Sequence, residues 1–98
     1  MRLALSVHKG NISTVFDAAS DLLIVDSSGE ARAGGLSYRF VASDPAGRAA
    51  ELKDQGVGAL ICGAISRPME THIASRGIVL YPFVRGGVDE IIDAYRAN

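Results

Sequence analysis

The stretch DPAGRAAELKDQGVGALICGAISRPMETHIASRGIVLYPFVRGGVDEIIDAY, residues 44–95, decides the fold. Asp44 at an N-cap with Pro45 at the first helical position is a helix start, because proline lacks only an N–H that would go unpaired there anyway. The helix runs through Ala46, Ala49, Ala50 and Leu52 to a stop at Gly56. Ala59-Leu60-Ile61-Cys62 is continuously apolar, as a strand covered on both faces must be. Gly63 turns the chain, and Ser66-Arg67-Pro68 opens a second helix with Met69 and Ile73 on one face, ended by Gly77. Ile78-Val79-Leu80-Tyr81 is the next strand. After Pro82-Phe83-Val84-Arg85-Gly86-Gly87, residues Val88, Ile91, Ile92 and Tyr95 fall at i, i+3, i+4 and i+7, one helical stripe. Asp89 and Glu90 in its first turn suit the positive end of the helix dipole.

Working back towards the amino terminus, the period changes to two. Leu3, Leu5 and Val7 alternate with Arg2, Ala4 and Ser6, predicting a strand over residues 2–7 that His8-Lys9-Gly10-Asn11 breaks. Leu22-Leu23-Ile24-Val25 is a second strand, apolar throughout, and the turn chemistry of Asp26-Ser27-Ser28-Gly29-Glu30 doubles the chain back. Leu36, Tyr38 and Phe40 alternate with Ser37, Arg39 and Val41, giving a third strand nearer an edge, with a bulge or loose start at Gly34-Gly35. The expected topology is βββαβαβα over a single domain, residues 1–98. Helical crossovers make the later strands parallel and tight turns make the first three antiparallel. The natural solution is an α/β fold with a mixed five-stranded sheet of ribonuclease-H-like order 3-2-1-4-5, which puts the continuous apolar strands in the middle.

The totals agree with one modest core. The chain has 98 residues, 48% of them apolar, and a formal charge of −1. Near-neutrality argues against broad nucleic-acid binding, which needs a basic excess to displace counterions. The lone cysteine, Cys62, allows no intrachain disulfide, which fits a reducing compartment. No apolar run approaches the ~20 residues that cross a bilayer, and the opening run is too short and broken for a signal sequence. A cytoplasmic, membrane-free domain is expected.

Ligands of parallel sheets bind beyond the carboxyl ends of the strands. Three loops are expected to converge there, residues 8–11, 62–67 and 83–87. They bring Lys9, Arg67 and Arg85 together with two helix N-termini, a combination that favours an anion. The plain alternative is ordinary turns carrying solvated cations. Cys62 reads either as a small core hydrophobe or as a thiolate whose pKa basic neighbours lower so that it ligates a soft metal. His8 reads either as a metal ligand or as a surface residue, and His72 as exposed or packed. The chain has no Walker-type phosphate loop, two-histidine zinc motif or Cys-x-x-Cys. Its core strands carry no carboxylates placed to hold two metals. A non-enzymatic domain is expected.

Residues 60–68 (LICGAISRP), 77–83 (GIVLYPF) and 87–95 (GVDEIIDAY) resemble the NifX-like dinitrogenase iron–molybdenum cofactor family. The likeness covers nearly the whole chain, is specific after Val57 and is looser before Asp44. It implies a ribonuclease-H-like fold and a role in cofactor biosynthesis for nitrogen fixation. The implied activity is carrying or inserting iron–molybdenum cofactor or a precursor, an anionic iron–sulfur cluster, with a cluster donor or acceptor protein as partner. Under that resemblance Cys62 coordinates, with His8 as auxiliary metal ligand, and Ser66, Arg67, Arg85 and Lys9 complete the cofactor-binding set. Two positions depart from the family pattern. Val15-Phe16-Asp17-Ala18 stands where a His-Phe-Gly-Arg-like segment is common, and Arg85 stands where relatives carry a cysteine, which shifts the holding towards electrostatics. Two other readings stay open on the same fold: a module binding a small anionic metabolite at the helix N-termini, and a module that only docks on another protein.

Overall fold

The computed structural model describes residues 2–26 and 35–97. The strands are β1 (Arg2–His8), β2 (Asn11–Ile12), β3 (Asp21–Asp26), β4 (Leu36–Arg39), β5 (Val57–Ile61) and β6 (Val79–Tyr81); the helices are α1 (Pro45–Asp54), α2 (Arg67–Ser75) and α3 (Val88–Ala97). They build one mixed sheet of path β4-β3-β1-β5-β6, with β2 paired to β1 outside that path. β1, β3 and β4 pair antiparallel, and β1, β5 and β6 pair parallel.

The expected count of five strands is corrected to six among the described residues. The missed strand has two residues and holds its place through a hairpin with β1, Val7 opposite Ile12 and His8 opposite Asn11. Lys9 and Gly10 form its two-residue turn, both at positive φ (51° and 81°), a twist that matches the flanking strands. A single 3-10 turn, Phe16–Ala18, follows and was equally unforeseen. The turn expected at residues 27–30, and Gly34, lie outside the described residues. Gly35 abuts β3 so closely that a Cβ would stand 2.4 Å from the Ile24 carbonyl oxygen, which accounts for glycine at the entry to β4.

Side-chain alternation along the strands divides the core between two faces. Ala4, Leu22, Ile24, Leu60 and Cys62 pack against Ala49 and Leu52 of α1 and Met69 and Ile73 of α2. Leu3, Leu5, Val25, Ala59 and Ile61 pack against Val88 and Ile92 of α3. The caps are as the sequence predicts. The Asp44 side chain accepts from Gly47 N–H and Ser66 caps α2, while Gly56 and Gly77 take left-handed φ values of 73° and 80° just past α1 and α2. No helix among the described residues is long and apolar enough to cross a membrane.

Candidate functional site at the carboxyl ends of the parallel strands

The loops after β1, β5 and β6 meet, and backbone hydrogen bonds stitch them together. Ile12 N–H donates to Gly86 O and Val88 N–H to Gly10 O, both at 2.9 Å, so the β1–β2 turn lies against the start of α3. Ala64 N–H donates to Thr14 O (2.9 Å) and Phe16 N–H to Ala64 O (2.8 Å). Phe83 N–H donates to Gly63 O and Val84 N–H to Cys62 O, both at 2.9 Å. Residues 13–18 thus form a strap across the β5–α2 loop. The approach is so close that a Cβ on Gly63 would stand 2.4 Å from Ser13 O and 2.6 Å from Thr14 O.

The individual residues are not all where the sequence reading put them. Cys62 has no exposed surface and belongs to the core beneath the strap. Burial first, and then the charges of Asp17 and Glu70, push its thiol up to about 12. Of the two readings of Cys62, its burial matches the small core hydrophobe; the lowered thiolate does not fit, because the charged groups that act on the thiol are acids and its surroundings are apolar. Ser66 is also engaged. Its N–H and its hydroxyl both donate to the Asp17 carboxylate, at 2.9 and 2.6 Å, while its Oγ accepts from Met69 N–H at 3.4 Å. The N-terminus of α2 expected to receive an external anion therefore already holds the chain's own carboxylate.

His8, Lys9 and Arg85 are exposed on the two loops stitched together by Gly10, Ile12, Gly86 and Val88. Arg67 is exposed as well, on the outer face of α2, where it shares a shallow depression with Glu70, Thr71, Ala74 and Ser75. Among the described residues, no group of three or more His, Cys, Asp or Glu side chains is placed to hold a metal ion. Phe83 stands out at the same end of the sheet, 71% exposed and held at φ 61°, an unusual conformation for a bulky residue.

Sequence reasoning missed two residues that hold this end of the molecule together. Arg48 is only 4% exposed. Its Nη1 donates to Phe16 O (2.8 Å) and its Nε to Ala42 O (3.0 Å), and its guanidinium lies 4.5 Å from the Phe40 ring centroid and 5.3 Å from that of Phe16. Burial lowers its pKa, against the opposing pull of Asp17 and Glu51. Asp17 is the second, joined to Ser66 across 49 positions of chain. A lone acid in a non-periodic segment carries no local signal of such a contact. An N-cap serine at Ser66 was legible, but its partner was not.

A family model described as dinitrogenase iron–molybdenum cofactor matches residues 1–98. Among solved structures, the chain is similar to PH0822 at 24% identity, covering 99% of this chain and 91% of that one with a TM-score of 0.86. It is also similar to MJ0327 of Methanocaldococcus jannaschii, a protein provisionally named a dinitrogenase. In that protein's crystal structure the identity is 26%, the coverage 99% and 88%, and the TM-score 0.67. In its NMR structure they are 24%, 99% and 87%, and 0.65. No curated protein matches the chain.

Proposed function

The chain belongs to the dinitrogenase iron–molybdenum cofactor family, and from that premise we propose that it is a cytoplasmic, non-enzymatic accessory domain of ribonuclease-H-like fold that holds an iron–sulfur-type cluster as cargo. The cargo is iron–molybdenum cofactor or an anionic precursor, taken from a donor protein and passed to an acceptor. One observation carries the reading. The hydrogen bonds of Ile12 with Gly86 and of Gly10 with Val88 bind the loop bearing exposed His8 and Lys9 to the loop bearing exposed Arg85. Two cations and an imidazole on one stitched rim suit a negatively charged cluster that needs one soft or borderline ligand.

The donor set sorts the candidates. Cys62 does not fit as a ligand in this conformation, since its thiol is protonated and fully covered. His8 fits, being exposed, and Lys9 and Arg85 supply charge without coordination. Arg67 and Ser66 are outside this set, the former on the α2 surface and the latter committed to Asp17.

The test is anaerobic addition of isolated iron–molybdenum cofactor to the purified protein, followed by gel filtration and metal analysis of the protein peak. Metal is expected to co-elute with the wild type and with Cys62→Ala. It is expected to be lost from His8→Ala and to fall, with shallower salt dependence, in the double variant Lys9→Ala, Arg85→Ala, because the variant has less charge attraction left to screen. Equal retention by all of these proteins overturns the rim as the site. The small-anion reading is weakened because Asp17 closes the α2 N-terminus. The docking-module reading draws support from Phe83, and loss of a partner on Phe83→Ala with unchanged metal retention favours it.

A further inference from the structure

Among the described residues the sheet path ends in two edges, β4 and β6, and the chain treats them differently. An open edge offers unpaired N–H and C=O groups to another strand, so proteins usually guard it with charge. β4 is guarded. It carries Arg39, paired to Asp21 at 3.0 Å, and just past its end the Glu51 carboxylate accepts from Val41 and Ala42 N–H at 3.0 and 2.7 Å. β6 is not. Residues 77–84 (GIVLYPFV) hold no charged side chain, and Val79 and Tyr81 are 51% and 42% exposed.

The ladder gives the direction of the free groups. Tyr81 C=O accepts from Cys62 N–H at 3.1 Å, so the polar groups of Tyr81 face β5. Successive residues of a strand alternate, and Leu80 N–H and C=O therefore face outward. Side chains alternate too. Val79 and Tyr81 stand across from Ala59 and Ile61 on the α3 face, where the Tyr81 ring meets that of Tyr95 edge-on at 5.8 Å. Pro82, which has no N–H, lies past the last residue of β6 and leaves the Leu80 groups open.

A two-fold axis at Leu80 satisfies this edge with itself. Two antiparallel β6 strands then set Leu80 opposite its own counterpart, the two exchanging both N–H···O=C bonds. Val79 falls opposite the counterpart of Tyr81, and the axis repeats the pair. A β-branched side chain against an aromatic one is a combination that sheets favour across strands. No charge meets its like. A strand from another protein would have to supply this chemistry, whereas a second copy has it by symmetry.

We infer that β6 is the pairing edge of a homodimer, in which two copies of the chain join antiparallel into one continuous sheet. The two His8–Lys9–Arg85 rims then lie at opposite ends of the dimer and stay open, and the inference does not rest on them. A three-residue strand and a few side chains make a small interface, below the roughly 1,200 Å² of a standard one, so the dimer forms in a concentration-dependent equilibrium.

Sedimentation equilibrium of the full chain, from roughly 10 µM to 1 mM, covers the range of so small an interface. The weight-average mass is expected to rise from 10.3 kDa towards twice that value. Val79→Lys alters an exposed side chain, and its effect counts twice across the axis. It is expected to raise the dissociation constant about tenfold or more, while Val41→Lys, past the end of β4, leaves it unchanged. Cross-linking reads the register. Val79→Cys and Tyr81→Cys chains are mixed in equal amounts, with oxidised glutathione to take the two electrons from each pair of thiols. Disulfide-linked heterodimer should exceed the statistical half, because the two positions face each other with Cα atoms about 4.5 Å apart. Cys62 stays inert because it is fully buried. Three results overturn the inference: a wild type that remains monomeric at the highest concentration, a dimer that Val79→Lys weakens no more than Val41→Lys does, or heterodimer at no more than the statistical share. If Val79→Lys does not fold, as judged by circular dichroism, the wild-type mass and the cross-linking decide.

Discussion

Replacing Gly63 with alanine puts a methyl group where two backbone carbonyls of the strap already stand, 2.4 Å from Ser13 O and 2.6 Å from Thr14 O. Gly63 is not among the glycines at positive φ, so alanine there carries no backbone penalty and the cost is steric alone. The obstruction is backbone on both counts and cannot rotate away. Restoring ordinary contact, near 3.4 Å, moves the strap by roughly 1 Å relative to β5. That shift breaks the bond from Ala64 N–H to Thr14 O, now 2.9 Å, and strains the one from Phe16 N–H to Ala64 O, now 2.8 Å. One or two such bonds contribute about 0.5–1.5 kcal/mol each, and overpacking adds about 1–3 kcal/mol. The expected loss is therefore about 2–4 kcal/mol, a large share of the ~5–15 kcal/mol by which a domain of this size is stable. Urea unfolding followed by far-ultraviolet circular dichroism should show the midpoint falling with the slope unchanged. The melting temperature should drop by roughly 10–25 °C. A loss below about 0.5 kcal/mol, the range of an unremarkable surface change, would refute the seating of the strap on Gly63.

Ser6→Ala should be neutral or stabilising by about 1 kcal/mol, because it removes a buried hydroxyl that has no partner. Most buried substitutions destabilise, so a clear loss in a thermal melt would show that the hydroxyl is hydrogen-bonded in solution. Glu51 gives a pH prediction. Partial burial acts to raise its pKa, but the Tyr38 hydroxyl at 2.6 Å, the N–H groups of Val41 and Ala42, and Arg48 together hold it below the ordinary carboxylate value. A depressed folded-state pKa stabilises the fold above the unfolded value, about 4.3, and that stability is lost as pH falls through the folded value. The melting temperature of Glu51→Gln should therefore trail the wild type at pH 7 and converge with it below about pH 4; a gap independent of pH would contradict this account.

The strands and helices that carry strong periodicity or capping signals were legible from local pattern. Asp44-Pro45, Ser66, Gly56 and Gly77 act where they stand because caps and stops depend on the backbone within one turn. The stripe of Val88, Ile91, Ile92 and Tyr95 faces the sheet because helical spacing leaves no other way to bury it. Residues 11–18 were not legible in the same way. β2 is two residues long, the 3-10 turn is three, and neither has a period to read. Their order comes from partners far along the chain: Gly86 for Ile12, Ala64 for Phe16, Ser66 for Asp17 and Arg48 for the Phe16 carbonyl.

By itself, then, the order of residues determined the family, the alternation of strands and helices in the second half, and which loops follow the parallel strands. The meeting of those loops and the burial of Cys62 belong to the tertiary structure, as does the closing of α2 by Asp17. The physical reason is that a thiol's ionisation and a helix end's vacancy are properties of surroundings. For Cys62 those surroundings include the strap, which is seated by partners far along the chain: Ala64, Ser66 and Arg48.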